Sequence, residues 1–114
     1  MIHKTFIQRD HQTLARVTFV LPSSIWADQI ALVGDFNGWD HLSHPFRRDR
    51  EGQWIVSVDL QIGRAYQFRY LCDGRNWMND SEADAPDGNN NNFVVFTDPN
   101  YQSRNGKGEL RNVG

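Results

Sequence analysis

Apolar and polar residues alternate in several short runs of this chain, and nowhere do apolar residues repeat at helical spacing for three turns. Strict alternation sends successive side chains to opposite faces of an extended strand, so each run reads as a strand with one face in a core. Residues 16–21 set Val17, Phe19 and Leu21 against Arg16 and Thr18. The clearest run sets Trp54, Val56, Val58 and Leu60 against Ile55, Ser57 and Asp59, and another sets Tyr66, Phe68, Tyr70 and Cys72 against Gln67, Arg69 and Leu71. Gln29 to Val33 is a short apolar run rich in branched residues, which predicts burial on both faces in the middle of a sheet. Ile2–Gln8 alternates loosely and predicts a first strand, residues 75–78 a short one bearing Trp77, and Phe93–Phe96 the last.

Turn chemistry separates these runs. Asn37-Gly38 and Asp73-Gly74 are strong local turn signals, Pro22-Ser23-Ser24 ends the second strand, and a charged turn lies at residues 48–52. Asp80 to Asn92 reads as a long polar loop. From Asp98 onward the chain is polar and glycine-bearing without periodicity, which predicts a disordered tail over 98–114 after a single domain over 1–97. About seven or eight short strands at near-regular spacing predict an all-β fold, an antiparallel sandwich of immunoglobulin-like type.

Composition narrows the classes of function. With 114 residues there is room for one domain and a real core. A net charge of −2 and scattered arginines argue against a nucleic-acid partner, which would call for clustered cations. The single cysteine, Cys72, excludes an internal disulfide and reads as a small core residue. No stretch has the length and apolarity to span a bilayer, and the first residues lack the apolar centre of a secretion signal, so the expectation is a cytoplasmic protein without membrane contact.

Four tryptophans exceed what so small a core requires. Trp54 starts the best amphipathic strand and is expected in the core, while Trp26, in the loop after Ser24, is expected to cover one end of the sandwich. Trp39 and Trp77 each lie just past a turn, where they either present their rings to solvent or pack inward. A sugar has an apolar C–H face and a rim of hydroxyls, so its receptor needs flat aromatic platforms with donors and acceptors beside them. Trp39 and Trp77 are the candidate platforms and Asn37, Arg69 and Asn91 the candidate rim, with Asn37 also shaping its turn. Each has a plainer reading: Arg69 as an ordinary surface arginine, the asparagines 89–92 as a loop, Phe36 as the anchor of its turn.

Enzyme readings are poor. Glycoside cleavage needs two carboxylates flanking one bond, whereas Asp80, Glu82, Asp84 and Asp87 crowd one loop with nothing to separate their pKa values. That loop also departs from an EF-hand, since Ala85 stands where glycine is needed and no glutamate closes it. His41 and His44 have no nearby third ligand, so neither a metal nor another cofactor is expected.

Three separated motifs occur in order: Gly34-Asp35-Phe36-Asn37-Gly38-Trp39, then Tyr66 to Gly74 with Trp77 just beyond, then Asn91-Asn92-Phe93-Val94-Val95. Over roughly residues 16–97 the chain resembles the early-set glycogen- and starch-binding modules. These include the N-terminal domains of isoamylases and branching enzymes and the β subunit of AMP-activated protein kinase. The resemblance implies an immunoglobulin-like sandwich that binds α-glucan without cutting it. It also implies glucose stacking at the positions of Trp39 and Trp77 and hydroxyl bonding at those of Arg69, where such modules often carry lysine, and Asn91. The alternative is a protein-interaction module with a degenerate sugar site, docking on a separate glycan-metabolising enzyme or regulatory partner.

Overall fold

The computed structural model describes residues 1–78, 85–86 and 93–99. Two antiparallel sheets face one another, the sandwich expected from the alternation. The first sheet runs β1 (Ile2–Arg9), β2 (Gln12–Leu21), β5 (Trp54–Gln61) and β4 (Arg47–Arg48) in spatial order. The second runs β3 (Ile30–Gly34), β6 (Ala65–Cys72), β9 (Phe93–Phe96) and β8 (Ala85–Pro86), with β7 (Asn76–Met78) also paired to β6.

The alternating residues meet between the sheets. Val17, Phe19 and Leu21 of β2 and Trp54, Val58 and Leu60 of β5 face Ile30 and Leu32 of β3 and Phe68, Tyr70 and Cys72 of β6. Phe19 links the layers, its ring centre 5.1 Å from that of Phe68 and 6.2 Å from that of Tyr70. Fully burying one such side chain is worth about 1.5–3 kcal/mol, so this aromatic cluster is a substantial apolar tie between the layers. Cys72 and Trp54 are buried, as their positions in the alternation require.

Two expectations need correction. β3 is not a central strand: among the described residues β6 is its only strand partner, and its other side is closed by the segment after the turn, through Leu32 N–H to His44 O at 2.9 Å and Phe46 N–H to Ile30 O at 2.8 Å. Its apolar run reflects that cover together with outer-face burial, since Val33 is fully buried although it points away from the core cluster. Secondly, the stretch read as one polar loop holds β8, where Ala85 and Pro86 pair with Val94 and Phe93. Proline sits there on an outermost strand, where a missing N–H is tolerated. The tail from residue 100 onward and the acidic residues 80–84 and 87 lie outside the described residues.

Candidate functional site

The register of the second sheet decides which side chains share its outer face. β6 turns Phe68, Tyr70 and Cys72 into the core and leaves Gln67, Arg69 and Leu71 on the other side. Val33 pairs with Arg69, and Leu71 pairs with Ala31 on one edge and Trp77 on the other. Ala31, Leu71 and Trp77 therefore form a transverse apolar row, with Arg69 and Val33 in the next row.

Trp77 owes this place to the turn before it. Asp73 and Gly74 both take positive φ, 54° and 73°, and Arg75 N–H reaches Cys72 O at 3.1 Å, so the chain reverses tightly and returns Asn76 opposite Cys72. The indole is 39% exposed, open on a sheet face rather than folded into the core. The Arg69 guanidinium lies 5.0 Å from its ring centre, and the His41 ring meets it edge-on at 5.4 Å. Cation–π contact of this kind orients the ring. A cleft of about 300 Å³ adjoins, sharing His41 and Leu71 with this group and lined also by Leu42, Pro45 and Gly74.

Trp39 is held by a different device. After β3 the chain makes one 3-10 turn over Asp35–Asn37, and Gly38 and Trp39 follow with φ of 65° and 60°. A bulky residue rarely takes that conformation, so its neighbours must over-determine it. Three contacts do so. Trp39 N–H donates to Gly34 O at 3.0 Å, the indole N–H donates to Asp35 Oδ1 at 3.0 Å, and Asp35 Oδ2 accepts the Gln67 backbone N–H at 2.8 Å. One carboxylate thus ties the half-buried Trp39 to β6, the strand that carries Arg69.

Asn37 works inside the turn. Its Oδ1 accepts the Gly34 N–H at 3.1 Å, and its Nδ2 donates to Leu32 O at 3.0 Å and lies 3.1 Å from His44 Nδ1. Phe36 packs against the core and against the rings of Tyr66 and His44, the anchoring role expected of it. Of the five candidate residues, Trp77 and Arg69 are thus brought into contact, Trp39 is tied to the strand that carries Arg69, and Asn37 supports the turn before Trp39. Asn91 lies outside the described residues.

Sequence reasoning missed two participants. His41 carries no local signal beyond its spacing from His44, and only the fold brings it to Trp77. Asp35 had a local signal, four residues before Trp39 in the same turn, but its second partner is 32 positions away. Trp26 differs from its expected role as a cover: it is 97% exposed, because its neighbour Ile25 takes the packing position and accepts the Trp54 indole N–H on its carbonyl at 3.4 Å. Among the described residues no three His, Cys, Asp or Glu side chains gather as a metal would require, and no helix is long and apolar enough to cross a membrane.

An exposed indole with a guanidinium over it, beside an apolar cleft, suits a ligand with apolar faces and hydroxyl edges. Comparison with known proteins points the same way. The chain is 41% identical over 53 residues to a 1,4-alpha-glucan branching enzyme of Novosphingobium aromaticivorans, covering 42% of this chain and 7% of the enzyme. It is 46% identical over 44 residues to the branching enzyme of Methylococcus capsulatus, covering 37% and 6%. With that of Dictyostelium discoideum it shares 47% over 38 residues, covering 33% and 5%. The matched stretch is thus a small fraction of each relative's length. Residues 11–100 match carbohydrate-binding module 48, the isoamylase N-terminal domain, and this chain belongs to that family of carbohydrate-binding modules.

Proposed function

We propose that the chain binds α-glucan without cleaving it, on the outer face of the second sheet. Trp39 and Trp77 serve as stacking platforms, Arg69 and Asn91 bond sugar hydroxyls, and Asn37 holds the turn from which Trp39 projects. The observation that carries the reading is Trp77: 39% exposed on a sheet face, with Arg69 5.0 Å from its ring centre and His41 edge-on beside it. Arg69 so placed orients the ring and offers N–H groups to hydroxyls at its margin. The relatives are branching enzymes of 1,4-alpha-glucan, which supports a glucan as the sugar class, in the cytoplasmic setting expected from the sequence.

Stacking on an exposed ring is worth on the order of 1–3 kcal/mol by analogy with base stacking, so two platforms bind a short oligosaccharide weakly and a branched polymer more tightly through repetition. Titration with maltoheptaose, followed by tryptophan fluorescence, tests this. Trp39→Ala and Trp77→Ala should each weaken binding by about tenfold, since 1.4 kcal/mol is one decade. Equal quenching in wild type and both variants overturns it.

A second reading, docking on a separate glycan-metabolising enzyme, is favoured by one observation: in the relatives the matched stretch is 5–7% of a far longer chain. Co-sedimentation with a branching enzyme in the absence of glucan, surviving Trp39→Ala and Trp77→Ala, would support it.

A further inference from the structure

The most exposed large hydrophobic residue among the described residues belongs to neither proposed platform. Trp26 is 97% exposed at the end of β3 opposite to Trp39. A large aromatic left in water forgoes the stabilisation that burial would bring, and here the fold holds it out firmly. Ile25 N–H donates to Pro22 O at 3.2 Å, and Ile25 O accepts from the Trp54 indole at 3.4 Å. On the far side the Asp73 carboxylate accepts the N–H groups of both Asp28 and Gln29, at 2.8 and 3.0 Å, while Asp73 N–H donates to Gln29 O at 2.9 Å. The loop is therefore pinned to the core on one side and to the β6–β7 turn on the other.

Beside the indole lies an open cleft of about 430 Å³ lined by Ser23, Trp26, Asp28, Arg48 and Asp73. Arg48 is fixed in turn, its guanidinium 4.0 Å over the buried Trp54 ring and its Nη1 bonded to Gly52 O at 3.0 Å. The cleft thus sets a flat ring next to carboxylates, a guanidinium and a hydroxyl, the donors and acceptors that vicinal hydroxyls pair with. Two carboxylates, of Asp28 and Asp73, and one guanidinium line the cleft, a mixture of acceptors and donors that suits the hydroxyls of a polyol and disfavours an anion.

We propose that Trp26, with Ser23, Asp28 and Arg48, forms a second carbohydrate platform, so that one molecule touches a glucan polymer at two separate places. The ligand class rests on the reading above; the residues are different ones from Trp39, Trp77, Arg69, Asn91 and Asn37, although Asp73 holds their loop to the turn that precedes Trp77. Two weak contacts on one polymer raise apparent affinity without either being strong.

The four indole N–H signals in a nitrogen–proton NMR spectrum report each tryptophan separately. Maltoheptaose should shift the Trp26 signal in the wild type and in the double variant Trp39→Ala with Trp77→Ala, and Asp28→Asn should reduce that shift. Trp26→Ala should lower apparent affinity for glycogen by about threefold to tenfold while leaving the maltoheptaose shifts of Trp39 and Trp77 intact. If Trp39 and Trp77 respond and Trp26 stays still, the second platform is refuted and the main site stands. If Trp26 alone responds, the second platform stands and the main site falls. Silence from all of them overturns both.

Discussion

Asp35 and Trp39 are joined by a hydrogen bond of 3.0 Å from the indole N–H to Oδ1, and the other oxygen of the same carboxylate takes the Gln67 backbone N–H at 2.8 Å. The turn carrying Trp39 is thereby bolted to the strand carrying Arg69. Asp35→Ala leaves the Gln67 N–H and the indole N–H without their partner, and a hydrogen bond to a charged group is worth about 1.5–3 kcal/mol. The variant should lose about that much stability in urea unfolding and bind maltoheptaose more weakly, with a broadened Trp39 indole signal.

Gly34 is required by space, not by backbone angle. Its φ is −172°, open to any residue, but a Cβ there would lie 2.5 Å from Gln67 O and 2.9 Å from the Phe36 ring. The obstruction is backbone on one side and a packed ring on the other, so neither yields easily. Gly34→Ala should cost about 1–3 kcal/mol through forced displacement of strand or ring, read as a lower urea midpoint at unchanged slope.

Asp59 makes stability depend on pH. The hydrogen bond from Arg16, with Nε at 2.8 Å and Nη2 at 3.1 Å, lowers its pKa first of all, partial burial opposes, and the charges of Arg16 and of Arg9 at 3.0 Å add to the lowering. A carboxyl whose pKa is depressed by folding contributes stability that is full above its unfolded value and disappears as pH falls through the folded one. Asp59→Asn should therefore be less stable than wild type at about pH 7, with the gap closing below about pH 4, where the unfolded carboxylate protonates. Urea midpoints at low salt on both sides of that range measure it, and a gap independent of pH would refute it.

Cys72 is expected to be inert in the folded protein. Burial raises its pKa, and the neighbouring Asp73 charge raises it further, so little thiolate forms at neutral pH. The thiol also rests 3.0 Å from the Met78 sulfur, inside the core cluster. Modification by a disulfide reagent should proceed only as the chain opens, its rate climbing with urea in parallel with unfolding. Fast labelling in native buffer would contradict the packing.

Much of this molecule was legible along the chain, and the boundary is physical. Alternation with period two and turn-forming dipeptides act over a few residues, so the sandwich, the inward faces that carry Phe19 and Phe68, and the turns ahead of Trp39 and Trp77 could be read from local order. The phenylalanine at position 36 was legible as an anchor for the same reason. Which tryptophan stands in water was a different matter. Trp26 is exposed because Ile25 takes the inner position and Asp73, 45 residues away from Asp28, grips the loop. Trp77 meets His41, and Asp35 meets Gln67, only once β3, β6 and β7 have paired in one register. The sequence by itself determined the longer strands, most of their core-facing residues and the family. Tertiary pairing alone decided the exposure of each ring and the clamps around it, because those depend on contacts between residues far apart in the chain, and no local pattern records them.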